Sequence, residues 1–136
     1  MPQAARLRMI IRAAILDIFG GAVSEERDGI TMDDKEFSAQ ADAVLARIES
    51  ALEGVDGDID FELAAGGVLE IEFADGSKII VNRHAVAREI WVAARAGGFH
   101  FRWDGDSWLD TRDGSELMGK LSQLASQQAG QPVDLG

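Results

Sequence analysis

Asp42, Glu49 and Glu53 stand seven and four residues apart. On a helix that spacing puts three carboxylates on one side, roughly a third of a turn from an apolar stripe. Asp56, Asp58 and Asp60 continue the run through a loop into a strand, and Arg47 is the nearest basic residue within the helix. Like charges spaced this way repel, costing about 0.2–0.5 kcal/mol per pair. A surface that only had to be wet could mix signs and avoid that cost, although a plain solvated face remains the alternative reading. Hard cations such as iron(II), iron(III), calcium and magnesium take oxygen ligands, which this edge supplies in number. No closed cage is encoded. Phe61 occupies the place where an EF-hand needs glycine, and there is no Glu-x-x-His pair for a di-iron bundle. The expected chemistry is weak, exposed cation binding, tolerant of metal type, or attraction of a basic protein surface.

A second constellation surrounds Trp91. With Ile90, Val92 and Ala94 on the core face of a strand, Glu89, Trp91 and Arg95 fall on the open face. A large aromatic there is a candidate contact for a partner; the opposite register would make it a core tryptophan. His100 shares the open face as a bystander, while Trp103 and Trp108 read as packing residues. Asn82-Arg83-His84 ends a strand and enters a turn, exposed but chemically unspecific. No Gly-x-Ser-x-Gly, P-loop or dinucleotide fingerprint occurs. Nothing marks a buried carboxylate pair with split proton affinities, so the pattern does not favour an enzyme.

Composition narrows the partners. The chain has 136 residues, enough for one domain, and a formal charge of -11 from 13 basic and 24 acidic side chains. That excess repels nucleic acid and anionic membranes. Cysteine is absent and only two histidines occur, so thiolate sites and imidazole-rich zinc or copper sites are excluded. Any metal must be held mainly by carboxylate oxygen.

The elements that would position these groups follow from periodicity. From Asp33 to about Glu53, Phe37, Ala41, Val44, Leu45, Ile48 and Leu52 recur at helical steps, and Gly54 ends the run. Ile59, Phe61 and Leu63, then Leu69, Ile71 and Phe73, alternate with acidic residues, predicting strands with one buried and one wet face. Asp75-Gly76 predicts a hairpin into Lys78–Val81. Further strands are expected near Arg88–Ala94, Phe99–Trp103 after a Gly97-Gly98 turn, and Ser107–Asp110. Asp113 with Glu116 forms a capping-box pattern for a last helix carrying Leu117, Met118, Leu121, Leu124 and Ala125. Short turns make the sheet antiparallel. The expected fold is α+β: a two-layer sandwich, with two helices on one face of about six strands.

Residues 1–31 differ from the domain expected over 32–136. Arg6, Arg8 and Arg12 punctuate an apolar stretch from Ala4 to Phe19 that is too short and too charged to span a bilayer. Asp17 also breaks it as a secretory signal. The segment reads as a short helix on a flexible linker, with an organellar presequence or a start placed too early as alternatives.

Several segments, taken in order, resemble bacterial members of the frataxin family. They are Asp58-Ile59-Asp60, Gly67-Val68-Leu69-Glu70-Ile71, Asp75-Gly76-Ser77-Lys78-Ile79-Ile80-Val81-Asn82-Arg83, Ile90-Trp91-Val92-Ala93, Gly97-Gly98-Phe99-His100-Phe101 and Gln127-Gln128-Ala129-Gly130. The resemblance covers Met32 to Gly136. It implies an α-β sandwich that binds iron weakly along an acidic ridge and serves iron–sulfur cluster assembly. It further implies docking on a cysteine desulfurase and work with the scaffold protein. Ridge positions carry over to Asp42, Glu49, Glu53, Asp56, Asp58 and Asp60; the exposed sheet tryptophan to Trp91; and the partner-facing loop to Asn82-Arg83, with Glu49 and Glu53 also meeting the partner. Ser50 and Gly54 stand where relatives often carry acids, and the loop before Asp58 is shorter, implying fewer strong iron positions. A ferroxidase and an iron carrier or store are the rival roles. The resemblance implies a bacterial cytoplasmic protein, or a mitochondrial one if residues 1–31 are a presequence, and a monomer with iron-dependent oligomers as the alternative.

Overall fold

In the computed structural model the described residues are 33–136; the extension expected over residues 1–31 lies outside them. Helix α1 spans Asp34–Glu53, and its N-cap Asp33 accepts a hydrogen bond from the Glu36 N–H at 2.8 Å. Its stripe of Phe37, Ala41, Val44, Leu45, Ile48 and Leu52 is buried, as the periodicity predicts. Six strands follow: β1 Asp60–Ala64, β2 Val68–Glu72, β3 Lys78–His84, β4 Glu89–Ala94, β5 Gly97–Trp103 and β6 Trp108–Asp110. They form one antiparallel meander in chain order. Helix α2, Leu117–Ala129, closes the fold.

Both helices lie on one sheet face. Ile71, Ile79, Val81, Ile90, Val92 and Phe101 meet the α1 stripe and Leu117, Met118 and Leu121 in a single core. The chain after α2 joins it through Val133 and Leu135. Asp75-Gly76 makes the expected tight turn, with Gly76 at φ +86. The Ser77 hydroxyl and N–H donate to the Asp75 carboxylate, and together with Arg95 they hold its pKa at about 2.

Two local expectations are corrected. Asp113 does not cap α2: its carboxylate already accepts from the Ser115 N–H and hydroxyl in a tight turn. Glu116 bridges Leu109 in extended conformation and caps the helix itself, accepting from the Gly119 N–H. Gly97-Gly98 belongs to β5 rather than to the turn before it, because Ala93 and Ala94 pair with both glycines.

Gln128 ties the layers together. Its Nε2 donates to Ser77 Oγ at 2.9 Å and to the Lys78 carbonyl at 3.2 Å, while Oε1 accepts from the Arg95 N–H at 3.0 Å. One buried amide thus anchors the end of α2 to two hairpin ends. Gln128→Leu keeps the volume but orphans the backbone groups, and should cost about 2–3 kcal/mol in urea unfolding. An unchanged midpoint would show that the amide is dispensable.

Candidate functional site

Burial of the α1 stripe fixes the rotation of the helix, and with it the acidic edge. Asp42 and Glu53 are exposed and Glu49 is half-buried at the flank of that stripe. Asp56 and Asp58 are exposed in the following loop, and half-buried Asp60 opens β1. The loop is held by the Val55 N–H donating to the Leu52 carbonyl and by Gln131 Nε2 donating to the Asp56 carbonyl. From Asp42 to Glu53 the helix rises about 16 Å, so the edge is a strip, not a pocket. Among the described residues no three acidic or imidazole groups converge at metal-ligand spacing.

The strip divides electrostatically. Arg83 reaches from β3 to the Asp42 carboxylate in a short ion pair. Arg88, at φ 54 in the β3–β4 turn, pairs with Asp34 at 2.7 Å. The N-terminal half of the edge is therefore partly neutralised from the sheet, which the helix sequence alone did not reveal. Glu49, Glu53, Asp56 and Asp58 carry no ion pair among the described residues. These four give hard oxygen donors in a row that is exposed except at half-buried Glu49 and that carries no ion pair among the described residues, which suits a weakly held hard cation or a basic surface.

The register of β4 is the one that places Ile90 and Val92 in the core and Trp91 on the open face. His84 and His100 stack on the two sides of its indole, with centroids 3.8 and 4.4 Å away. Glu89 lies beneath, 6% exposed, and accepts from Trp91 Nε1 at 2.8 Å and from the Arg102 guanidinium. The open face is not uniformly wet as the alternation predicts: Glu70 is also fully buried there, with Lys78 Nζ at 3.3 Å. Beside Trp91 lies a depression of about 170 Å³, lined by Ile80, Asn82, Ala93, Gly98 and His100.

Asn82 and Arg83 are not a shared exposed loop. Both belong to β3 and, being adjacent, project to opposite faces. Asn82 is 2% exposed on the open face, its Oδ1 buried without a hydrogen-bond partner among the described residues. Arg83 lies on the helix side, where its stem crosses Gly67; a Cβ on that glycine would stand 2.7 Å from it. Glu89, His84 and His100 are the residues whose importance sequence reasoning missed. The signal that could have found them is the β3–β4–β5 pairing, which aligns Asn82, Trp91 and His100 in one row.

Residues 30–131 match the family model of the frataxin-like domain. The chain is 74% identical over 104 residues to the iron-sulfur cluster assembly protein CyaY of Dechloromonas aromatica, covering 76% of this chain and 99% of that protein. It is 50% identical over 104 residues to the protein of the same name from Paraburkholderia phymatum, covering 76% and 98%. Among solved structures, a frataxin from Psychromonas ingrahamii aligns with a TM-score of 0.71 at 30% identity, covering 77% of this chain and 99% of that one. The fold also matches trimeric frataxin from the yeast Saccharomyces cerevisiae, complexed with ferrous iron: TM-score 0.56 at 21% identity, covering 80% and 94%.

Removing Glu89 tests how the aromatic platform is held. Glu89→Ala leaves the Trp91 N–H without its acceptor and should cost about 1–3 kcal/mol. It should also shift the Trp91 indole N–H resonance; an unmoved resonance would mean that Glu89 does not hold the ring.

Proposed function

The chain belongs to the frataxin family, and from that premise we propose that it is an iron-binding regulator and adaptor of iron–sulfur cluster assembly. In this reading it docks on a cysteine desulfurase through the acidic edge and works beside the scaffold protein. The observation that carries it is the row Glu49, Glu53, Asp56 and Asp58, exposed or half-buried and without ion pairs among the described residues. The net charge of -11 extends the field of this row, which speeds encounter with a basic surface and fixes orientation more than it adds affinity. Trp91 and the neighbouring depression would supply short-range contact.

Iron enters as cargo and signal rather than as a resident cofactor. Oxygen donors on a rigid helix edge fit a hard cation, and their spread along a strip fits weak, exchangeable binding. A cation seated near Glu49 and Glu53 would offset their charge and so lower the attraction for a basic groove. Iron supply would thereby alter docking. Asp42 would contribute less, because a cation there must compete with Arg83.

Reversing Glu49 and Glu53 to lysine should leave the circular dichroism spectrum intact. It should weaken desulfurase binding by about a hundredfold or more, close to 3 kcal/mol. Binding equal to that of the parent protein would sink the adaptor reading.

A further inference from the structure

Part of the sheet face opposite the helices is dry. Val68 and Glu70 are fully buried and Asn82 is 2% exposed, yet none of the three belongs to the core shared with α1 and α2. Their parity puts them on the open face, where Glu62 pairs with Glu70, Glu70 with Ile80 and Val68 with Asn82. Neighbouring strands shield a side chain from the sides but not from above. Glu70 stands one strand from the sheet edge, with Lys78 Nζ at 3.3 Å, and its carboxylate loses water only if further atoms lie over it. Both described helices lie on the other face. Ala93, Gly98 and His100, on β4 and β5, are exposed, so the dry zone is confined to β2 and β3.

What covers this zone must be apolar over Val68 and Ile80 and cationic towards β1 and β2, whose open-face positions are Asp60, Glu62, Glu70 and Glu72. Residues 4–19 of the same chain have that composition. Leu7, Ile11, Ile15 and Ile18 recur at helical steps, with Arg8 and Arg12 along the border of that stripe. Guanidinium is the cation best suited to carboxylates away from water. The connection is long enough: residues 20–32, fully extended, reach about 40 Å. It joins α1 at one end of the sheet, where Asp34 pairs with Arg88 of the β3–β4 turn. The family match begins only at residue 30, so this segment is additional to the shared domain.

We propose that residues 4–19 seat on the open face over β2 and β3, with the aliphatic stripe on Val68 and Ile80 and the arginines towards the β1–β2 carboxylates. The seat adjoins Trp91 through the Asn82–Trp91 pair, so a partner that uses Trp91 must displace the segment. This competition rests on the adaptor reading above; the seat itself does not.

The sequence has no cysteine, so Ala13→Cys in the full chain takes a nitroxide label at a single place. In the ¹⁵N-labelled protein the amides of Val68, Glu70 and Asn82 should broaden strongly, and those of Ala43 and Ala46, on the exposed side of α1, much less. Adding Ile11→Gln and Ile15→Gln should remove that contrast. No broadening on the open face, equal broadening on both sides, or a contrast unchanged by the two glutamines would overturn the seat. Nitroxide-bearing ¹⁴N protein mixed with label-free ¹⁵N protein should leave the open face sharp; broadening there would assign the face to a second copy and overturn the proposal. The Ile11→Gln/Ile15→Gln protein, equal in charge to the parent, should bind the cysteine desulfurase about tenfold more tightly by calorimetry. Equal affinities would overturn the competition. Binding by neither protein would overturn the adaptor reading and the competition with it, the broadening pattern still deciding the seat.

Discussion

The register of β4 is the constraint on which the rest of the surface depends. A slip of one residue would put Trp91 into the core and expose Ile90 and Val92, both almost fully buried. Among the described residues the two helices cover one face of the sheet, so every strand must sort its side chains by parity. The apolar set fills the space beneath α1 and α2; what remains is gathered on the other face. Trp91, His84, His100 and Glu89 are neighbours because four strand positions of one parity are brought together by three adjacent strands.

The same packing sets the acidic edge. The α1 stripe must face the sheet, so Glu49 and Glu53 have no choice but its flank, and Gly54 delivers the chain into the loop that carries Asp56 and Asp58. Their mutual repulsion is tolerated because the stripe's burial stabilises the helix by far more than a few tenths of a kcal/mol per pair. Arg83 and Arg88 relieve the N-terminal end alone. Among the described residues the result is a gradient along one helix, from paired to unpaired carboxylates. The unpaired end is where a cation or a basic partner would gain most.

Much of this was legible in the residues. Helical spacing from Phe37 to Leu52, period two around Leu69 and Ile71, and the Asp75-Gly76 turn are local signals, and local signals determine elements. The side of α1 that bears Asp42, Glu49 and Glu53 followed from the same spacing. What escaped depends on pairs distant in sequence. Arg83 meets Asp42 across 41 positions, and Arg88 meets Asp34 across 54. His84 and His100 flank Trp91 only once the pairing of three strands is known. Asp113 mimicked a cap because capping boxes and tight Asx turns use the same residue types; the Leu109–Glu116 bridge decided between them.

Anaerobic titration of the ¹⁵N-labelled protein with iron(II) tests the central claim most directly. Paramagnetic broadening should begin at Glu49, Glu53, Asp56 and Asp58, reach Asp42 later, and leave the Trp91 face sharp. Broadening that starts on the sheet face, or none at millimolar iron(II), would contradict the account.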